Sequence, residues 1–272
     1  MTAPLLRLND GHSIPHVGLG TYPMDDAEAT VVVADALQAG YRHVDTAYKY
    51  FNEKGVGAGV RASGVPRGEV FVTTKIDGTF AGPRAREGVE GCLERLGLDY
   101  IDLLLIHWPL PAQGVHAATW QAMVGFQREG LVRSIGVSNY KPAQLDRLIA
   151  ESHVVPAVNQ IQLSPQVVRA DHRAYDAAHG IVTTSWSPLG KGLLHDPTVE
   201  SVALKHAVTP AQVIVRWHVQ QGLVAIPKSS SRERLRANLD VFGFVLDAGD
   251  LAMLARLDQG PSAGVDSDQI GH

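Results

Sequence analysis

Eight apolar runs of strand length recur along the chain, and helical patterns separate them. The runs are Val17–Leu19, Arg42–Val44, Val70–Thr74, Ile101–Ile106, Val132–Val137, Ala157–Ile161, Ile181–Ser185 and Leu223–Ile226. Between them lie Asn52–Ser63, Pro83–Leu96, Ala117–Glu129, Pro142–Glu151, Ala170–His179 and Pro210–Gln221, all with helical patterning. Gly130, Gly180 and Gly222 stand where a helix hands over to a strand, as C-cap glycines do. Pro142 and Pro210 stand near helix starts, where proline is tolerated. Eight strands alternating with helices predict an α/β fold, a (β/α)8 TIM barrel. The alternative is an open doubly wound sheet, which carries G-x-G-x-x-G after its first strand. Here that position reads Gly18-Leu19-Gly20-Thr21-Tyr22-Pro23 and lacks the third glycine. Gly55-Val56-Gly57-Ala58-Gly59 lies inside a helical stretch, so its small residues are read as serving close helix packing.

Other signals fill in the frame. Asn9-Asp10-Gly11-His12 between two short apolar runs predicts an N-terminal β-hairpin. Asp25 and Asp26 can cap the next helix, which stops at Gly40. A Gly- and Pro-rich insert, Leu189 to Glu200, follows the seventh strand, and an extra C-terminal helix is expected over Asp250–Leu257. The tail from Gly260 reads as a polar loop. No stretch reads as a linker, so residues 1–272 are expected to form one domain.

Composition narrows the function classes. Hydrophobic residues make up 45% and charged residues 19% of the chain, enough for a sizeable core. The net charge of −4 argues against a nucleic-acid partner. No window approaches a membrane span and the N-terminus carries no signal pattern, so a cytoplasmic protein is expected. The one cysteine, Cys92, falls in the apolar stripe of a helix and is read as core. The twelve histidines show no paired spacing of a metal site, so no metal is expected.

In such a barrel the chemistry sits where the strands end. Those ends carry Asp45, Lys75, His107, Ser138 with Asn139, Gln160, Trp186 and Lys228. Each alone has a plain structural reading: Asp45 as a turn residue, Lys75 as a solvated cation, His107 as a satisfied histidine, Trp186 as core. Barrel closure is what would aim them at one rim. Tyr50 follows Asp45 by five residues. A phenol titrates near ~10 and can donate a proton at neutral pH. An ammonium from Lys75 beside it would help it donate and recover that proton, and Asp45 would keep Lys75 charged. His107 could hydrogen-bond a substrate oxygen. The set suits protonation of a carbonyl oxygen but lacks a hydride source, which a cofactor must supply. At the last strand, Lys228-Ser229-Ser230-Ser231-Arg232-Glu233-Arg234 gathers cations and hydroxyls at a helix start. That is either a phosphate site or a capped helix with solvated charges.

These residues, with Leu105-Ile106-His107-Trp108-Pro109, Gly136-Val137-Ser138-Asn139, Asn159-Gln160, Trp186-Ser187-Pro188-Leu189-Gly190 and Ile226-Pro227-Lys228-Ser229, resemble the aldo-keto reductases, close to the bacterial diketogluconate reductase type. The resemblance spans essentially the whole chain. It implies NADPH-dependent reduction of a small aldehyde or ketone, and a monomer. It implies Tyr50 as general acid, supported by Lys75 and Asp45, with His107 positioning the carbonyl. Ser138, Asn139 and Gln160 would hold the nicotinamide carboxamide and Trp186 would stack on its ring. Ser187 and Leu189 would lie along the pyrophosphate. Lys228, Ser229 and Arg234 would grip the 2′-phosphate, and Asn238 would contact adenine. Against the family pattern, Phe51 follows Tyr50 where glycine is common, Gln162 and Ser164 stand where Glu and His are usual, and Ala237 replaces a common glutamate. The stretch from Leu110 to His116 is short. A shallow, open pocket lined by Tyr22, Phe51 and Trp108 is expected, with Phe80 or Trp186 as further candidates.

Overall fold

In the computed structural model, which describes residues 2–270, the eight apolar runs line up in chain order as one parallel sheet. The chain opens with an antiparallel hairpin of β1 (Leu5–Arg7) and β2 (Ser13–Pro15). The sheet then runs β3 (Leu19–Gly20), β4 (His43–Asp45), β5 (Phe71–Ile76), β6 (Ile101–Ile106), β7 (Val132–Ser138), β8 (Val158–Gln162), β9 (Val182–Trp186) and β10 (Val224–Ala225), each paired with the next. Its ends meet: Val17 bridges Ala225 in parallel, and the Gly18 N–H donates to the Ala225 carbonyl at 2.9 Å. Closure leaves the sheet without a free edge.

Around it stand α1 (Asp26–Ala39), α2 (Glu53–Ala62), α3 (Ala85–Leu96), α4 (His116–Glu129), α5 (Pro142–Ser152), α6 (Ala170–Ala178), α7 (Pro197–His206), α8 (Pro210–Gln220), α9 (Arg232–Leu239) and α10 (Ala248–Ala255). The central strands bury both faces, and all six residues of β5 and of β6 are buried. Leu8 and Ile14 of the hairpin region pack with Phe71, Leu103, Val158 and Val224. The hairpin thus stoppers the barrel where the strands begin and leaves the other end for chemistry. Among the described residues no helix is long and apolar enough to cross a membrane.

Local signals set the element ends. Asp25 caps α1 by accepting from the Glu28 N–H at 2.8 Å, and Gly40 ends it at φ 114°. Cys92 is buried on α3. One boundary needs correction, and two segments carry more order than the sequence announces. The insert after β9 does not stay irregular through Glu200, because Asp196 caps α7 through the Thr198 N–H with Pro197 at the first helical position. The extra helix starts two residues earlier than expected, since Asp247 and Asp250 form a capping box. The described part of the tail is a loop, as expected, and it is tied down: Lys141 pairs with Asp266 and Asp268, and the Val265 N–H donates to Gln162 Oε1 at 2.6 Å.

The glycine triplet of α2 lets three helices approach. A methyl group on Gly55 would lie 2.2 Å from the Asp26 carbonyl oxygen of α1, and one on Gly57 would lie 1.7 Å from that of Leu96 at the end of α3. Both contacts are with backbone, which cannot step aside as a side chain does. Gly57→Ala is therefore expected to lower the unfolding free energy by about 1–3 kcal/mol or more. Gly68→Ala, where nothing lies within 4 Å, should stay within about 0.5 kcal/mol of the parent. Urea unfolding of the two variants checks this, and equal midpoints would contradict the tight α2–α3 approach.

Candidate active site

Asp45 is the last residue of β4, and the chain beyond it makes a single 3-10 turn, Tyr48–Tyr50, that ends at Phe51 in the left-handed region (φ 54°). Asn52 fixes this loop. Its side-chain Oδ1 accepts from Thr46 Oγ1 at 2.6 Å, and its Nδ2 donates to the carbonyls of Thr21 and Met24 at 3.2 and 3.0 Å. Glu53, next in line and buried, accepts from Thr74 Oγ1 at 2.6 Å and pairs with Arg95 at 2.7 Å. The loop is thereby tied to β5, and Tyr50 is held over Lys75.

Lys75 Nζ lies 2.6 Å from Asp45 Oδ1, 2.9 Å from the Thr46 carbonyl and 3.4 Å from Tyr50 Oη. These three acceptors match the three protons of an ammonium. The other Asp45 oxygen accepts from Gln160 Nε2 at 2.7 Å, across the barrel from β8. The Tyr50 ring stands 5.7 Å from that of His107 at 76°, and 5.1 Å from that of Tyr22.

Burial dominates the electrostatics. It raises the Tyr50 phenol above its ordinary value, and Lys75 pulls only part of the way back. Burial also works against charge on Lys75, yet Asp45 and Tyr50 outweigh it and its pKa is raised. The Asp45 carboxyl is pushed up by burial, with Lys75 and Gln160 drawing it down in part. His43, below the pair on β4, is pushed down to about 3 by burial and by Lys75, so it stays neutral. At neutral pH the site therefore presents a protonated phenol backed by a fixed cation.

The neighbouring strand ends form a linked floor. The Trp186 indole N–H donates to Asn139 Oδ1 at 2.9 Å. The Asn139 amide donates to the His107 carbonyl and to Ser138 Oγ, both at 3.0 Å, and Ser138 Oγ donates to the Gln160 carbonyl at 2.8 Å. Asn139 and Ser187 both adopt positive φ, 66° and 50°.

A cavity of about 450 Å³ brings together Tyr22, Asp45, Tyr50, His107, Trp108, Ser138, Asn139, Gln160, Trp186, Ser187, Leu189 and Lys228. Tyr22 at its mouth is 62% exposed, so the cavity opens to solvent. Lys75 lies behind it, reached only through Asp45 and Tyr50. Ser229, buried, accepts from the Ser231 N–H at 3.2 Å beside the start of α9; Arg234 is exposed on the first turn of that helix, and Asn238 is buried further along it. Phe51 and Phe80 lie outside the wall of this cavity. The left-handed turn carries Phe51 outward, 73% exposed, with its ring 6.1 Å from Tyr48, and Phe80 packs on Tyr48 at 4.9 Å. Among the described residues no cluster could hold a metal ion. Sequence reading missed the wall formed by Thr21, Pro188, Ile226 and Pro227, the structural work of Asn52, and the Gln160–Asp45 bond. Of these, Thr21, Pro188, Ile226 and Pro227 lay inside motifs that flagged them.

The Gln160–Asp45 bond stabilises the ionised carboxylate. Gln160→Leu should cost about 1–3 kcal/mol of stability near neutral pH by leaving a buried oxygen unpaired. Its loss raises the Asp45 pKa further, so the penalty is present where Asp45 is ionised and fades as falling pH protonates it. Urea unfolding between about pH 4 and pH 8 reads this. In an Asp45→Asn background the pH dependence of the substitution should vanish, and its persistence would mean that Gln160 acts elsewhere.

Comparison with known proteins agrees with this geometry. The profile of the Aldo/keto reductase family matches residues 16–259. An aldo-keto reductase of Mycolicibacterium vanbaalenii is 49% identical over 259 residues, covering 94% of this chain and 93% of the relative. The methylglyoxal reductase DkgA of Escherichia coli is 43% identical over 270 residues, covering 98% of each. Among solved structures, a mutant of Gox0644 in complex with NADPH matches with a TM-score of 0.94 at 41% identity over 100% of both chains. A closed barrel, a buried acid–ammonium–phenol cluster at its rim and relatedness over nearly the full length lead to one conclusion: the chain belongs to the aldo/keto reductase family.

Proposed function

We propose that the protein reduces small aldehydes and ketones to alcohols using NADPH. The observation that carries this reading is the Tyr50 phenol, poised at the cavity wall with Lys75 Nζ 3.4 Å behind it. The donor set also suits the dinucleotide. Amide and hydroxyl groups of Ser138, Asn139 and Gln160 surround the inner end of the cavity beside the Trp186 indole. Its outer end carries Lys228 and leads to the α9 start, where hydroxyls and Arg234 offer an anion site. In this reading Ser138, Asn139 and Gln160 hold the carboxamide and Trp186 faces the nicotinamide ring. Ser187 and Leu189 flank the pyrophosphate, Lys228, Ser229 and Arg234 take the 2′-phosphate, and Asn238 contacts adenine. When bound, NADPH supplies the hydride.

The chain's own residues handle the proton. Tyr50 donates its phenolic proton to the carbonyl oxygen as negative charge develops there. The phenolate left behind is stabilised by the Lys75 ammonium, whose charge Asp45 sustains, until a proton returns from solvent. His107 and Trp108 set the carbonyl's position against Tyr50. The named activity of the DkgA relative makes methylglyoxal a sensible first member of the substrate panel. In line with the family resemblance, we infer a monomer as the working unit.

Incubating the protein with NADPH and small aldehydes, methylglyoxal included, should consume the reduced nicotinamide absorbance. Tyr50→Phe should lower kcat roughly 10²–10⁴-fold while leaving NADPH binding, read by tryptophan fluorescence quenching, unchanged. Parent-like turnover by that variant would remove Tyr50 as the acid.

A further inference from the structure

One carboxylate is already seated among the groups assigned to phosphate. Glu28 lies in the first turn of α1, and its Oε1 accepts a short hydrogen bond from Ser230 Oγ. The same oxygen stands 3.6 Å from Lys228 Nζ, and Lys228 in turn donates to Ser230 Oγ at 2.7 Å. Two helical turns further along α1, Asp35 takes the Arg232 guanidinium through both oxygens. An interval of seven residues keeps Glu28 and Asp35 on one helix face. That face is turned to the segment between β10 and α9. Asp35 thus commits Arg232, Glu28 engages Lys228 and Ser230, and Arg234 keeps an exposed guanidinium with no ion pair among the described residues.

An arriving phosphate meets this arrangement as a rival anion. The α9 start and Lys228 attract negative charge. A phosphate monoester carries a charge between about −1.5 and −2 at neutral pH. To use Lys228 and Ser230 fully it must displace the Glu28 carboxylate, or else accept a like charge a few ångströms away. An ion pair this exposed, with side chains 38% and 41% accessible, adds little to folding. Its effect falls on the anion that competes for the same groups.

We propose that Glu28 is a specificity-determining residue, an internal carboxylate that competes with the cofactor's 2′-phosphate for Lys228 and Ser230. It holds NADPH affinity below what these groups would otherwise give and narrows the preference over NADH. The inference rests on the reading that Lys228 takes the 2′-phosphate.

Glu28→Gln keeps the size and the acceptor for Ser230 Oγ and removes only the charge. Dissociation constants for NADPH and NADH, read by tryptophan fluorescence quenching, are the measurement. The variant should bind NADPH roughly three- to tenfold more tightly, with NADH changed less than about twofold. The gain should shrink in high salt. Adenosine 2′,5′-bisphosphate, which carries the 2′-phosphate without nicotinamide, should follow NADPH, and adenosine 5′-monophosphate should follow NADH. An equal gain for both dinucleotides, or unchanged or weaker NADPH binding, overturns the proposal. Lys228→Met separates the two layers. If it weakens NADPH selectively while Glu28→Gln changes nothing, the role of Glu28 alone is lost. If it leaves NADPH affinity intact, the phosphate reading fails and the proposal falls with it.

Discussion

The buried ion pair between Asp45 and Lys75 is the interaction on which the rest of the site depends. Taking two charges out of water is expensive, by several kcal/mol per ion even after relaxation. The structure tolerates it because nearly every polar valence is met. The ammonium has three acceptors, and both carboxylate oxygens have a donor. The donors and acceptors come from β4 with Thr46 just beyond it, β5, β8 and the Tyr48–Tyr50 turn. A buried pair satisfied in this way adds little net stability over an apolar substitute, but breaking one half leaves an uncompensated charge. It therefore specifies one arrangement of four segments rather than strengthening the barrel as a whole. The phenol is then placed by the third proton of the ammonium.

From that pair a continuous hydrogen-bonded path crosses the rim. It runs from Lys75 and Asp45 to Gln160, through the Gln160 carbonyl to Ser138, on to Asn139, and ends at the Trp186 indole. The groups assigned to the nicotinamide and those assigned to the proton are members of one network. Orientation of the aromatic wall and alignment of the acid are consequently not independent. Gln160 sits at the junction, since a single amide serves Asp45 through its nitrogen while its main-chain carbonyl receives Ser138. The barrel makes this possible because residues distant in sequence reach the rim at neighbouring register positions: Ser138 lies opposite Gln160, and Gln162 opposite Trp186.

What could be read from the chain alone follows from these physics. Long buried strands announce themselves: the expected run Ile101–Ile106 is β6 to the residue, opening after Tyr100 and stopping at His107. β3 and β10 have only two residues each, so their existence came from the eightfold rhythm and not from their own composition. The helix α7 was hidden behind a glycine-rich approach, although Asp196-Pro197 is a good start signal. The identities of the strand-end residues were legible because the apolar runs end at polar groups. Their partners were not: no spacing reveals that Gln160 bonds Asp45 across 115 positions. The outward turn of Phe51 was not legible for a backbone reason, since nothing in the side chain itself predicts a left-handed φ.

That φ also explains how the chain tolerates a bulky residue beside the acid. A non-glycine residue in the left-handed region costs about 1–2 kcal/mol. Here the neighbours leave the turn no alternative. Asn52 ties it to Thr46, Thr21 and Met24, and Glu53 ties the next step to Thr74 and Arg95. The same conformation that strains Phe51 sends its ring out over Tyr48 and away from the cavity, so the phenol keeps its approach to the substrate. Strain is held one residue from the reacting group, and the bonds that hold it are those that fix Tyr50 over Lys75. The loop's rigidity and the position of the acid have one cause.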